Sequence, residues 1–118
     1  MELPDDIGPE QASDLAGRGE IRLVDVREAY EWDEGRIAGA RHVEMDQLSA
    51  VAESLTGEPP VVFYCRTGAR SGVAAQAFRA SGLEAHNLEG GLVAWVEKGL
   101  PLDPEDGKGP FSGQLTAA

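Results

Sequence analysis

Cysteine is nearly absent from this chain. Among 118 residues there is one, Cys65, which excludes an internal disulfide and leaves the chain without a resolving thiol of its own. An adduct taken up by Cys65 must be discharged to an outside acceptor. Positive charge is scarce as well: ten Lys and Arg stand against 21 Asp and Glu, a formal net charge of −11. Nucleic acid and anionic membrane surfaces would be repelled over most of such a protein. Long apolar runs are missing, so no segment reaches the length that spans a bilayer. The start, Met1-Glu2-Leu3-Pro4-Asp5-Asp6, has neither the basic nor the apolar region of a secretory signal. The expectation is a soluble cytoplasmic protein. With 42% hydrophobic residues and no internal repeat, the chain has the size of one ordinary domain and not of two.

Against these absences one junction stands out. The apolar run Val61-Val62-Phe63-Tyr64 gives way to Cys65 and then to Arg66-Thr67-Gly68-Ala69-Arg70-Ser71. A β-branched and aromatic run that ends in a Gly-containing polar turn and resumes as an Ala-rich periodic stretch predicts strand, tight loop, helix. Such a loop turns backbone N–H groups inward, and the helix adds its positive end. A cysteine held there has a lowered pKa, because N–H groups, helix dipole and the guanidinium groups of Arg66 and Arg70 all favour the thiolate.

The rest of the chain alternates in the same way. A short first strand is expected around Leu3 to Ile7, then a helix over Pro9 to Arg18 with proline near its first turn. Ile21 to Val26 predicts a strand and Arg27 to Trp32 a helix. Gly35 to Ala40 reads as a loop by its glycines, and Arg41 to Glu44 as a brief strand. Asp46 is placed to cap a helix reaching Leu55, which Gly57-Glu58-Pro59-Pro60 stops. After the strand Val61 to Tyr64 comes a helix from Ser71 to Ala80, a strand from Leu83 to Leu88, and a final helix over Leu92 to Lys98, closed by Gly99 and Pro101. Alternation of this kind implies an α/β fold, a mostly parallel sheet with helices on both faces and ligands at the carboxyl ends of the strands. Asp25 and Arg27 end one strand and Cys65 another, which brings them to one edge. From Asp103 the composition turns to Gly, Pro and polar residues, predicting a mobile tail over 103–118 that Phe111 and Leu115 could pin to a groove.

Four ordered motifs between Leu3 and Pro101 resemble those of a single-domain rhodanese, a sulfurtransferase family. Val24-Asp25-Val26-Arg27-Glu28 resembles its Asp-Val-Arg motif, and Gly35-Arg36-Ile37-Ala38-Gly39-Ala40 its Gly-His-Ile-Pro-Gly-Ala motif, with Arg36 and Ala38 departing from the pattern. Cys65 to Ser71 resembles the active-site loop; Gly90-Gly91 through Trp95 to Gly99-Leu100-Pro101 resembles the closing motif. The resemblance implies a rhodanese domain over residues 1–102, a central sheet of about five strands, and no metal or organic cofactor. It implies that Cys65 takes a sulfane sulfur from a donor such as thiosulfate, becomes a persulfide and passes the sulfur to cyanide or a thiol, with a protein acceptor as a further possibility.

Within that scheme the N–H groups of Arg66, Thr67, Gly68, Ala69, Arg70 and Ser71 are expected to stabilise the charged sulfur. Arg70, beside the helix N-terminus, is the expected clamp for a donor's sulfonate, while Arg66 either shares that role or pairs outward with Asp25 or another acid. Asp25 and Arg27 are read as an ion pair supporting the loop from behind. His42 and His86 are read as structural and not as partners of a cysteine–histidine dyad. Trp32 and Trp95 are read as core or rim, with Trp32 the better placed to line the mouth.

Three rivals remain. A cysteine phosphatase or arsenate reductase needs five residues between Cys and Arg, whereas here residue 71 is Ser and the arginine falls one place earlier; no aspartic acid follows the loop to protonate a leaving alkoxide. A non-catalytic binding module on the same fold has no need of Cys65 with both arginines. A persulfide carrier served by a partner enzyme shares all of the chemistry except turnover of free thiosulfate.

Overall fold

The computed structural model describes residues 2–104. Its elements are β1 (Asp6–Ile7), α1 (Pro9–Gly17), β2 (Arg22–Asp25), α2 (Ala29–Glu34), β3 (Arg36–Ile37), β4 (Arg41–His42), β5 (Val61–Tyr64), α3 (Ala69–Ala80), β6 (Ala85–Leu88), α4 (Gly91–Glu97) and β7 (Leu102–Asp103). Five strands make one sheet in the order β1-β6-β5-β2-β4, with every neighbouring pair parallel. This is the expected α/β architecture.

The period of two along β5 divides the core. Val61, Phe63 and Cys65 point to one face, where Ala74, Ala75 and Phe78 of α3 cover them. Val62 and Tyr64 point to the other, against Leu15 of α1 and Leu92 and Trp95 of α4. Both faces being covered is why β5 is apolar at every residue instead of alternating. Phe63 and Phe78 meet edge to face, with ring centroids 4.9 Å apart, a contact of about 0.5–1.5 kcal/mol beyond simple burial. Cys65 thus belongs to the α3 face of the central strand, one residue past its end.

Several elements differ from the sequence-based expectation. Gly35 to Ala40 is not wholly loop: Arg36–Ile37 pairs antiparallel with Leu102–Asp103, a contact too short and too distant in sequence to leave a periodic signal. The helix expected from Asp46 to Leu55 is two 3-10 stretches, Met45–Gln47 and Ser49–Leu55, with Asp46 inside the first and no side-chain cap on either. The hydroxyls of Ser54 and Thr56 donate to the carbonyls of Val51 and Glu53 three residues back, an alternative to α-helical bonding that these residues favour. The guanidinium of Arg22 then takes the carbonyls of Ser54, Thr56 and Pro59, tying the end of this segment to β2. Strand ends retreat by one to three residues, as at Leu83 and Leu3, which lie outside β6 and β1. Asp103, where the tail was expected to begin, lies in β7; Phe111, Leu115 and the remainder of that tail lie outside the described residues.

Candidate active site

Cys65 is 1% exposed and sits at the focus of its loop. The backbone N–H of Gly68 donates to Sγ at 3.1 Å and that of Ser71 at 3.5 Å, and the Ser71 hydroxyl stands 3.4 Å from the same sulfur. Gly68 makes this turn possible, since its φ of 100° lies in a region closed to most side chains. The 12 residues of α3 begin directly after it and direct their positive end toward the sulfur.

The loop's outer side is fixed by α4. The N–H groups of Leu92 and Val93 donate to the carbonyls of Cys65 and Arg66 at 2.9 and 3.0 Å. In a trans peptide the next N–H points opposite to the carbonyl, so bonding these carbonyls outward turns the N–H groups of Arg66 and Thr67 inward. Gly91 is required for that approach: a Cβ there would lie 2.6 Å from both carbonyl oxygens. The Gly90-Gly91 motif is therefore part of the cysteine loop's scaffold, although it lies 25 residues downstream of Cys65.

Burial pushes the Cys65 thiol up, and hydrogen bonds from the Ser71 hydroxyl and from the N–H groups of Ser71, Gly68 and Thr67 overcome it, holding the pKa below the ordinary thiol value. The direction is the one expected, but the cause differs in part. The leading favourable contribution is a hydroxyl that sequence reasoning passed over, and not the guanidinium groups. Arg70 does feel the thiolate, yet its charge is held first by Glu31.

That pair is bidentate: Arg70 Nη1 and Nη2 meet Glu31 Oε1 and Oε2 at 2.8 and 3.1 Å. Glu31 also accepts the N–H of Glu28 at 3.0 Å, closing a capping box at the start of α2. One carboxylate thus ties α2 to the mouth of the cysteine loop. Arg70 holds the Glu31 carboxyl below the usual range.

Asp25 and Arg27 form the other pair. Arg27 donates from its backbone N–H and from Nε and Nη2 to the Asp25 carboxylate at 2.7–3.0 Å, and from Nη2 to the Gly35 carbonyl at 2.7 Å. Arg27 also lies 6.0 Å from the ring centre of Tyr64, whose hydroxyl accepts the Ile37 N–H. The pair fastens β2, β5 and the Gly35 turn together.

The remaining candidates lie elsewhere. His42 contacts the Arg27 carbonyl at 2.8 Å through Nε2 and stacks on Trp32. The Arg36 guanidinium lies 4.8 Å from the Trp32 ring, so the residue that departs from the resembled motif packs on that tryptophan. His86 lies between the Pro4 carbonyl and the Glu84 carboxylate. Neither histidine bonds to Cys65 among the described residues. Trp95 is core, donating its indole N–H to the Pro101 carbonyl. Two residues of the site carried little sequence signal: Glu31, one acid among many on a polar helix, and Asn87, which accepts from the Ser71 hydroxyl at 2.6 Å. For Asn87 the signal was an amide inside a buried strand.

A buried thiol cradled by N–H groups at the carboxyl edge of a parallel sheet defines an α/β domain built around one cysteine loop. Comparison with known proteins makes it specific. Residues 8–98 match the Rhodanese-like domain, and the chain belongs to that family. It is 41% identical over 84 residues to the Bacillus subtilis "Uncharacterized protein YqhL", covering 70% of this chain and 67% of that protein. It is 34% identical over 94 residues to the "Sulfurtransferase" of Allochromatium vinosum, covering 79% and 88%. The crystal structure of a rhodanese-related protein from Thermoplasma volcanium superimposes with a TM-score of 0.76 at 25% identity, covering 84% of this chain and 97% of that one. Other relatives are longer, and the chain spans only 38% and 54% of two of them. Relatives named as sulfurtransferases at 34–38% identity support a sulfur-transfer role and an enzyme of the rhodanese family. Among the described residues no helix is long and apolar enough to cross a membrane.

Proposed function

We propose that Cys65 is the sulfur-accepting nucleophile of a thiosulfate sulfurtransferase-like reaction. The thiolate attacks the outer sulfur of thiosulfate, the S–S bond of the donor breaks, and sulfite leaves with the bonding electron pair. Cys65 is then a persulfide whose terminal sulfur carries the negative charge. Cyanide or a thiolate attacks that sulfur and departs as thiocyanate or a persulfide, returning the Cys65 thiolate. The observation that carries this reading is the convergence of the Gly68 and Ser71 N–H groups on Sγ, donors aimed at a charged sulfur and fixed before the reaction begins. Arg70, close enough to feel the thiolate, is the donor-binding arginine in this scheme; the N–H groups of residues 66–71 serve the anion and Asp25–Arg27 supports the loop. The partners are a small sulfur-donor anion and a thiol or cyanide acceptor, with no nucleic acid, membrane or cofactor required.

The test is intact mass after incubation with thiosulfate. One sulfur is gained, cyanide or a reductant removes it, and Cys65→Ser does not acquire it. Absence of the adduct with thiosulfate, polysulfide and small-molecule persulfides alike would sink the transferase reading.

One observation favours a second reading, a persulfide carrier loaded by a partner protein. Glu31 already occupies one fork of Arg70, which weakens the claim of a free sulfonate on that guanidinium. A carrier forms the adduct readily from persulfide donors and turns over thiosulfate poorly.

A further inference from the structure

Ser71 offers one proton to two acceptors. Its Oγ lies 3.4 Å from Cys65 Sγ and 2.6 Å from Asn87 Oδ1. A hydroxyl carries a single hydrogen, and 2.6 Å is a short, strong O–H···O contact while 3.4 Å is a loose one to sulfur. The orientation of the Asn87 amide is fixed by its other neighbours. Nδ2 faces the Asp6 carboxylate at 3.1 Å and the Gly68 carbonyl at 3.3 Å, both acceptors, so Oδ1 must be the end that faces Ser71. Asn87 cannot easily withdraw. Its backbone N–H donates to the Asp5 carbonyl at 2.8 Å and its residue is paired with Phe63 of β5, which clamps it between β1 and the cysteine's own strand.

We propose that Asn87 sets the acidity of Cys65 by competing with its sulfur for the Ser71 hydroxyl proton. With Cys65 as a thiol, the S–H points at Ser71 Oγ and the Ser71 O–H points at Asn87, a relay in which each donor has an acceptor. With Cys65 as a thiolate, the hydroxyl turns to Sγ and gives up its bond to Asn87. Asn87 therefore charges the thiolate for the help of Ser71, and holds the thiol less acidic than Ser71 alone would make it. Nucleophilicity of a thiolate falls as its pKa falls, so a restraint of this kind keeps the sulfur reactive. Charged groups stand on every element around this network: Arg70 on α3, which interacts with Cys65, with Glu31 of α2 behind it, Asp6 of β1 against Asn87, Arg66 in the loop, and the Asp25–Arg27 pair on and just beyond β2. These act on the sulfur by their charge, whereas Asn87 acts through a proton.

The inference rests on Cys65 being the reactive group of the proposed transfer, but its test needs no sulfur donor. The readout is the pH dependence of thiolate absorbance and of iodoacetamide alkylation on the full chain. Asn87→Ala lowers the Cys65 pKa by roughly half a unit to one unit, the size of one net hydrogen bond. Ser71→Ala raises it by a similar amount. In the Ser71→Ala background, Asn87→Ala changes nothing further. If Asn87→Ala folds poorly, the near-isosteric Asn87→Leu removes the same acceptor and gives the same shift. An Asn87 substitution that leaves the pKa in place or raises it, or one whose effect survives the loss of the Ser71 hydroxyl, overturns the proposal and returns Asn87 to a purely structural part. A chain that never forms a persulfide would still report either result.

Discussion

Two arginine–carboxylate pairs, Arg27–Asp25 and Arg70–Glu31, differ in their access to water. Arg27 and Asp25 meet with 1% and 0% of their side chains exposed, whereas Arg70 and Glu31 meet with 39% and 15% exposed. The buried pair has surrendered its hydration and recovers it through mutual contact, the Gly35 carbonyl and Tyr64, so neither member can be lost without stranding the other's charge. The mouth pair keeps one ion near water, and a competing anion can take the place of its carboxylate at modest cost. Identical chemistry is a rivet in one place and an exchangeable contact in the other.

The largest effect therefore belongs to the interior. Arg27→Met leaves the Asp25 carboxylate buried and unpaired and should cost about 3–5 kcal/mol of stability, read as a lower urea midpoint. A cost under about 1 kcal/mol, typical of an exposed pair, would erase the distinction between the two. At the mouth, Arg70→Ala should cost less than about 1 kcal/mol of stability. It should nevertheless raise KM for thiosulfate about tenfold or more, the worth of charged hydrogen bonds of 1.5–3 kcal/mol. Polysulfide donors, which have no sulfonate, should be affected far less; equal losses for both donor classes would mean that Arg70 shapes the loop instead of binding the donor.

The sequence is unequal in how much of this it discloses. β5, the cysteine loop and α3 are legible because apolar period, glycine and helix pattern agree over one continuous stretch, from Val61 to Ala80. The Asp25–Arg27 pair is legible as well, since Asp25 ends β2 and its partner follows two residues on. Glu31 is hidden: it meets Arg70 across 39 residues, and nothing in a helix rich in acids marks one carboxylate as the one that reaches. β3 and β7 are hidden for a related reason, being two residues each and joined only by tertiary approach. The 3-10 segment is misread because its spacing suits a helix while its Ser and Thr hydroxyls favour tighter turns. Asn87 is marked in the sequence only as a polar residue within a strand, and the role proposed for it depends on the position of one Ser71 proton, which no pattern encodes.

The smallest effect is also the sharpest separation of the two pairs. Glu31→Gln keeps an oxygen to accept the Glu28 N–H, so the capping box loses little, but it removes the charge that holds Arg70. KM for thiosulfate should fall about two- to fivefold, the range of a partly exposed ion pair, because the sulfonate no longer competes with a carboxylate for the guanidinium. A rise in KM would mean that Glu31 aims Arg70 at the donor instead of occupying it. The pH dependence follows from the direction of the shift. Arg70 holds the Glu31 carboxyl below its unfolded value, so the pair's contribution to stability is complete above the ordinary carboxylate pKa of about 4.3. It is lost as pH falls through the lower folded value, where Glu31 takes a proton. The stability gap between the native chain and Glu31→Gln should accordingly be constant near neutrality and close in acid. The buried pair has no such carboxamide substitute: near neutrality Asp25→Asn leaves the Arg27 charge buried without a counter-ion and should cost more stability than Glu31→Gln.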